Sequence, residues 1–263
     1  LIWPPWVTYS IKIILRGNND LAQDKPEFSR LEKLATDLLL SQDDFDTLKI
    51  NVQQLKYDYP IAFDSIQHYC QVTKRNVREV EIECLNNGYT LVISEGYLIL
   101  YNQEHSLDRI NWTLAHEVGH VYAGHIQDGE KEEIEAHFFA AQLLMPEAVI
   151  RKLKNEIGFL DFGWIYCYFF VSLQSSIKRV NTLNSKYYTK NRDACLLLNK
   201  FHSAISGLVS FSRNDYQQFH LDIEYAHALL DDVQEPFKNQ YILNSPEESK
   251  KFLPLGRTYI PNF

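Results

Sequence analysis

The sequence predicts an α+β protein in which a small antiparallel sheet packs on helices and a helical C-terminal part follows. Apolar residues recur at helical spacing after Pro26 and again in residues 108–121 and 130–145. Between the first two of these stretches, Tyr89–Ile93 and Tyr97–Tyr101 are short runs of aromatic and β-branched residues separated by Ser94-Glu95-Gly96, the pattern of a hairpin. The length of 263 residues, 45% of them hydrophobic and 23% charged, supplies enough apolar side chains for a sizeable core.

Charge and composition narrow the function classes. Twenty-six Lys and Arg against 34 Asp and Glu leave a net charge of −8, which argues against a broad grip on nucleic-acid backbones. Cys70, Cys84, Cys167 and Cys195 form no C-x-x-C pair and suit a reducing cytoplasm better than a disulfide framework. The longest apolar run, Trp164 to Val171, is eight residues, against the roughly 20 needed to span a bilayer, so no membrane association is expected. Leu1-Ile2-Trp3 is broken by Pro4-Pro5 and followed rather than preceded by Lys12 and Arg16, which is not the order of a secretion signal.

The elements follow in order. Leu31, Leu34, Ala35, Leu38 and Leu39 mark a first helix, and Phe45–Leu55 and Ile61–Val72 read as two further helical stretches. The hairpin comes next, with Val80–Cys84 as a candidate third strand. Asp108 is a plausible N-cap for a helix whose Ile110, Leu114, Val118 and Val121 share one stripe. Residues 130–145 form another helix, acidic at its start and stopped by Pro146. A helix is also expected between Asn214 and Val233.

The chemistry lies in His116-Glu117-Val118-Gly119-His120. Two histidines at i and i+4 stack on one helix face, well away from the apolar stripe, and their imidazole nitrogens can meet on one Zn2+. Glu117 then has the place of a general base rather than a ligand. A third ligand is required. The metzincin register needs Gly three residues and His six residues beyond His120, where Ala123 and Ile126 stand; His125 is off that register. The acidic helix offers Glu132, Glu133 and Glu135, each near an edge of the face made by Phe139, Ala140 and Leu143, so helical phase does not choose among them.

Thr113 to His120, followed by Glu135-Ala136, Phe139-Ala140 and Leu143-Leu144-Met145-Pro146, resembles the ImmA/IrrE-type metallo-endopeptidases of bacteria and phages. The hairpin ending Leu98-Ile99-Leu100-Tyr101-Asn102 ahead of the metal helix fits the same family, and the resemblance runs from about Leu31 to Leu183. It implies a zincin-like metallopeptidase core, one Zn2+ or another divalent ion per chain, His116, His120 and Glu135 as ligands, and Glu117 as the catalytic base. It also implies a protein substrate, a helix-turn-helix transcriptional repressor, cut in the cytoplasm as part of stress response or mobile-element regulation.

His137 stands where this family usually has Asn. It is open to four readings: an alternative ligand, a partner supporting a ligand, a donor to the transition state, or a surface residue. Tyr122 and Tyr89 are candidates for an oxyanion donor or for packing. Tyr168–Leu183 resembles the helix-turn-helix-like segment that follows the core in this family, with Val171-Ser172 at the turn. From Gln174 to Lys200 the six basic residues Lys178, Arg179, Lys186, Lys190, Arg192 and Lys200 face a single acid, Asp193. Lys178, Arg179, Lys186 and Lys190 are therefore candidate docking residues for an acidic partner protein.

The chain divides on this reading into an N-terminal segment (1–25), a metallopeptidase core (26–155), a helix-turn-helix-like segment (156–190) and a C-terminal helical region (191–263). The alternative function is a metal-stabilised protein that binds a repressor or senses stress without cutting. That protein would need the same ligands but neither Glu117 nor an open metal position. A DNA-binding regulator using residues 171–192 is disfavoured by the net charge.

Overall fold

The computed structural model describes residues 25–83, 88–126, 129–184 and 192–231. Among the described residues, three strands and eleven helices succeed one another as α1 (Phe28–Leu40), β1 (Ile61–Ser65), α2 (Ile66–Thr73), α3 (Val77–Glu83), β2 (Gly88–Ile93), β3 (Gly96–Tyr101), α4 (Leu107–Ala123), α5 (Glu130–Leu144), α6 (Glu147–Ile157), α7 (Phe162–Tyr168), α8 (Leu173–Asn184), α9 (Arg192–Lys200), α10 (His202–Asn214) and α11 (Tyr216–Asp231). The class is α+β, with a three-stranded sheet in the order β1-β3-β2 and a C-terminal run of helices.

The hairpin is antiparallel, with Thr90 opposite Ile99, and turns through Ser94-Glu95 between the paired residues Ile93 and Gly96. Gly96 has φ +147°, and a Cβ there would lie 2.1 Å from Pro60 O, which accepts a hydrogen bond from Tyr97 N. That contact brings in the third strand. It is Ile61–Ser65, paired in parallel with β3, so the sheet is mixed rather than purely antiparallel. The expected helix over Ile61–Val72 therefore begins only at Ile66, where Ser65 Oγ accepts the His68 amide as an N-cap. Val77–Glu83 is helical where a strand from Val80 was expected, and Cys84 lies outside the described residues. Phe45–Leu55 is irregular apart from a short 3-10 turn at Val52–Gln54.

β3 is central and buried on both faces. Leu98 and Leu100 pack with Ile66, Tyr69, Cys70 and Val80 on one side, while Ile99 joins the main core on the other. That core runs from Ala35 in α1 through α4, α5 and α6 to Ile223 in α11. Asn111, 3% exposed on α4, ties the irregular segment to it: its Oδ1 accepts from Val52 N at 2.9 Å, and its Nδ2 donates to Ile50 O at 2.9 Å and Phe170 O at 3.2 Å. The N-cap position of α4 is Ser106, and Asp108 sits in the first turn, where a carboxylate favours the helix dipole.

Two glycines let α4 pack closely on its neighbours, Gly119 against the main chain of α5 and Gly88 of β2 against side chains of α4. A Cβ on Gly119 would stand 3.1 Å from Ala136 O and 3.2 Å from Phe139 Cβ of α5. On the other side, a Cβ on Gly88 of β2 would stand 2.4 Å from Thr113 Cγ2 and 3.3 Å from Glu117 Cγ. Among the described residues no single helix is long and apolar enough to cross a membrane.

Candidate metal centre

His116 and His120 lie one turn apart on α4 with only 12% of each side chain exposed, and their Nε2 atoms converge to 3.1 Å. The carboxylate facing them is Glu133: Oε2 is 3.4 Å from His116 Nε2 and Oε1 is 3.5 Å from His120 Nε2. Ligands 2.0–2.1 Å from a tetrahedral Zn2+ stand about 3.3 Å from one another, so these three spacings fit such an ion. Among the described residues this is the one group of three His, Cys, Asp or Glu side chains whose ligand atoms all lie within 4.8 Å of one another.

Glu135, the ligand implied by the resemblance, is not brought to the imidazoles. Two residues on from Glu133 it points to the other side of α5, where Oε1 accepts from Glu27 N at 2.8 Å and Oε2 lies 2.9 Å from His125 Nε2. Burial alone would raise its pKa, but these hydrogen bonds hold the carboxyl below the usual range. Glu133 and His137, four apart on α5, instead share the face turned to α4. Which carboxylate faces the histidines depends on where α5 crosses α4, and the contact of Gly119 with Ala136 and Phe139 sets that crossing.

His125, set aside on spacing, is part of the site. α4 ends in a Schellman turn: Gly124 adopts φ +74°, Gly124 N donates to Val121 O, and His125 N donates to His120 O. This turn carries the His125 ring back until its Nδ1 is 3.0 Å from His120 Nδ1. Burial pushes its pKa below the ordinary value, and neighbouring His120 adds to this against the pull of Glu135.

Glu117 points toward the sheet, where Thr90 Oγ1 donates to its Oε2 at 2.7 Å. Strand alternation explains the partner. Thr90 is opposite Ile99, which faces α4, whereas Tyr89 packs with the cluster on the other face, away from Glu117. The Thr90 contact was not foreseen from the sequence; the alternation of the hairpin, combined with the face buried by β3, is the signal that could have found it.

His137 lies against His116, with ring centroids 4.4 Å apart, and beside Trp112 at 6.3 Å. Burial, and then the adjacent His116, push its pKa down to about 3, so it is neutral at ordinary pH. Tyr122 lies on the far side of α4: its hydroxyl accepts from Asp58 N at 3.2 Å, its ring packs on Tyr59 and Phe139, and burial raises its pKa to about 12. It is a packing residue rather than a neighbour of the His116, His120 and Glu133 group.

Residues 69–161 match the peptidase family M78, whose description is the IrrE N-terminal-like domain. The likeness is that of residues 69–161 to the IrrE N-terminal-like domain. The match takes in the hairpin, α4, α5 and α6, and therefore every member of the His116, His120 and Glu133 group. No curated protein and no solved structure matches the chain.

Beyond the IrrE N-terminal-like domain, α7 and α8 are joined by residues 169–172, where the helix-turn-helix-like segment was expected. Arg179 of α8 is 3% exposed and is not a docking residue: its Nη2 donates to Gln142 Oε1 at 2.9 Å and to Met145 O at 2.5 Å. Pro146 follows the C-cap residue of α5, Met145, and the guanidinium caps the Met145 carbonyl while holding the Gln142 side chain. Lys178 is exposed and near enough to His137 to oppose its protonation. Lys186 and Lys190 lie outside the described residues.

Proposed function

We propose that the chain is a zinc-dependent endopeptidase that hydrolyses a peptide bond in a protein substrate, with a helix-turn-helix transcriptional repressor as its target. The supporting observation is the convergence of His116, His120 and Glu133 beside a Glu117 already oriented by Thr90. Two imidazoles and one carboxylate suit zinc and leave a further coordination position open. The ion, when bound, would polarise the scissile carbonyl and acidify a water.

Glu117 would accept a proton from the water whose oxygen attacks the carbonyl carbon, and would return it to the amine nitrogen as the C–N bond breaks. His137, neutral and beside His116, is the donor we assign to the developing oxyanion. β2 is one of the two edge strands of the sheet and carries Thr90, so an extended substrate pairing along it would pass in front of Glu117. An extended segment is found in a linker rather than in a folded domain, and the cut is assigned to the linker between the DNA-binding head and the oligomerisation part of the repressor. Exposed Lys178, with Lys186 and Lys190, would favour an acidic partner. Cytoplasmic action in stress response or mobile-element regulation completes this reading.

The test is incubation of the zinc-loaded protein with a co-encoded helix-turn-helix regulator, with mass spectrometry of the products and Glu117→Gln protein as control. A single cut within the linker is expected. Digestion of unstructured casein with the regulator left intact would make the protein a general peptidase. Binding without any cut would favour the metal-stabilised binding protein.

A further inference from the structure

A chain of contacts leads away from the metal face of His120 into the protein. His120 Nε2 faces His116 and Glu133. Its other nitrogen, Nδ1, is 3.0 Å from His125 Nδ1, His125 Nε2 is 2.9 Å from Glu135 Oε2, and Glu135 Oε1 accepts Glu27 N at 2.8 Å at the start of α1. The side chains of His125 and Glu135 are only 8% and 4% exposed.

We infer that His125 and Glu135 are a positioning pair for His120, in which a buried carboxylate, acting through a second imidazole, fixes the tautomer and ring plane of a metal ligand. The inference rests on reading His116, His120 and Glu133 as the ligands. Polarity follows from donor and acceptor inventory. A ligating Nε2 must offer its lone pair, so neutral His120 carries its proton on Nδ1. The atom facing that proton is His125 Nδ1, which must accept it. His125 then carries its own proton on Nε2, and Nε2 faces a carboxylate oxygen that can only accept. Each bond has one donor and one acceptor in this arrangement. Reversing the chain would put a proton on His120 Nε2 and remove its lone pair from the site.

The two ligand histidines are held differently. His116 Nδ1 is buried and has no hydrogen-bond partner among the described residues, so its ring is held by packing against His120 and His137. Only His120 is held by hydrogen bonds on the side away from the metal. Because the pair is shielded from water, its hydrogen bonds are strengthened by the low local dielectric. The Schellman turn is the local cause: Gly124 in the left-handed region reverses the chain and delivers His125 to His120, which a helix continuing through residue 125 would not do.

The test uses the full chain with Zn2+ or Co2+. His125→Leu keeps bulk but neither donates nor accepts, whereas His125→Gln offers one acceptor and one donor. Zinc affinity by chelator competition should fall about 10- to 100-fold in His125→Leu, as for loss of other groups that orient a ligand, and recover most of that loss in His125→Gln. The visible spectrum of the Co2+ protein should change in the Leu variant and return toward native in the Gln variant. Native affinity in both variants, or equal losses tracking an equal drop in the metal-free unfolding midpoint, would overturn the inference. The native zinc protein gives a readout that does not depend on whether any variant folds: histidine 15N NMR should show His125 protonated on Nε2 alone, and protonation on Nδ1 would overturn it. Failure of the ligand reading looks different, because His120→Ala and Glu133→Gln would then keep native zinc affinity.

Discussion

Thr90 and Glu117 are 27 residues apart and belong to different elements, yet the Thr90 hydroxyl donates to the Glu117 carboxylate at 2.7 Å. Thr90→Val keeps the shape and removes the donor. A hydrogen bond to a charged group is worth about 1.5–3 kcal/mol, so peptide cleavage should fall roughly tenfold or more at unchanged metal content. Steady-state rates on a fluorogenic peptide, with elemental analysis alongside, check this; an unchanged rate would mean that other contacts orient Glu117.

Glu117→Gln should keep fold and metal and lose cleavage by about a thousandfold, since the amide is nearly the same shape but cannot take the proton. Circular dichroism, metal content and product formation on one preparation separate these outcomes. An active variant would remove the base from the mechanism.

The choice of carboxylate is equally open to measurement. Glu133→Gln should weaken zinc binding by more than about a hundredfold, beyond the loss usual for a group that only orients a ligand, and Glu135→Gln should lose less. Glu132→Gln should match the native protein. Titration against a chromogenic chelator ranks the three, and a largest loss at Glu135 would restore the ligand set that the family resemblance implied.

Arg179→Ala should destabilise the fold by about 3 kcal/mol, because it strips two acceptors at the end of α5 of a buried charged donor. Urea unfolding measures the loss. Burial pushes the pKa of this guanidinium down to about 10, with Glu147 opposing the shift, so it remains charged at neutral pH. Reversing Lys178 to Glu should leave stability nearly unchanged, as expected of an exposed residue.

The parts of the fold that were legible in the sequence are those with local signals. The metal helix, the acidic helix and the hairpin are written in residues close along the chain, as 3.6-residue periodicity, the proline stop and β-branched runs. β1 was missed because its five residues pair in parallel with a strand 36 positions later, and no turn marks such a pairing. Glu133 could not be chosen over Glu135 because the phase of α5 against α4 is a tertiary quantity. His125 is off the metzincin register, and that register carries no sign of the Schellman turn at Gly124 that returns its ring to His120. Arg179 reads as one more cation in a basic stretch, and only the unsatisfied end of α5 explains why it is buried.

The glycines at 88 and 119 separate two traits of this protein. With a hydrogen in place of a methyl at each, α4 meets the main chain of α5 at Ala136, and β2 lies directly on the Thr113 and Glu117 side chains of α4. Contacts this close leave little room for repacking, so they fix the spacing of Glu117, the two imidazoles and Glu133. The rim is under no such constraint: Val92 on β2 is 45% exposed, and Lys178 stands in solvent. If the chain cuts peptides as proposed, changing what is cut and changing how fast it is cut would therefore be separate problems, the first a matter of the rim and the second fixed by two missing methyl groups.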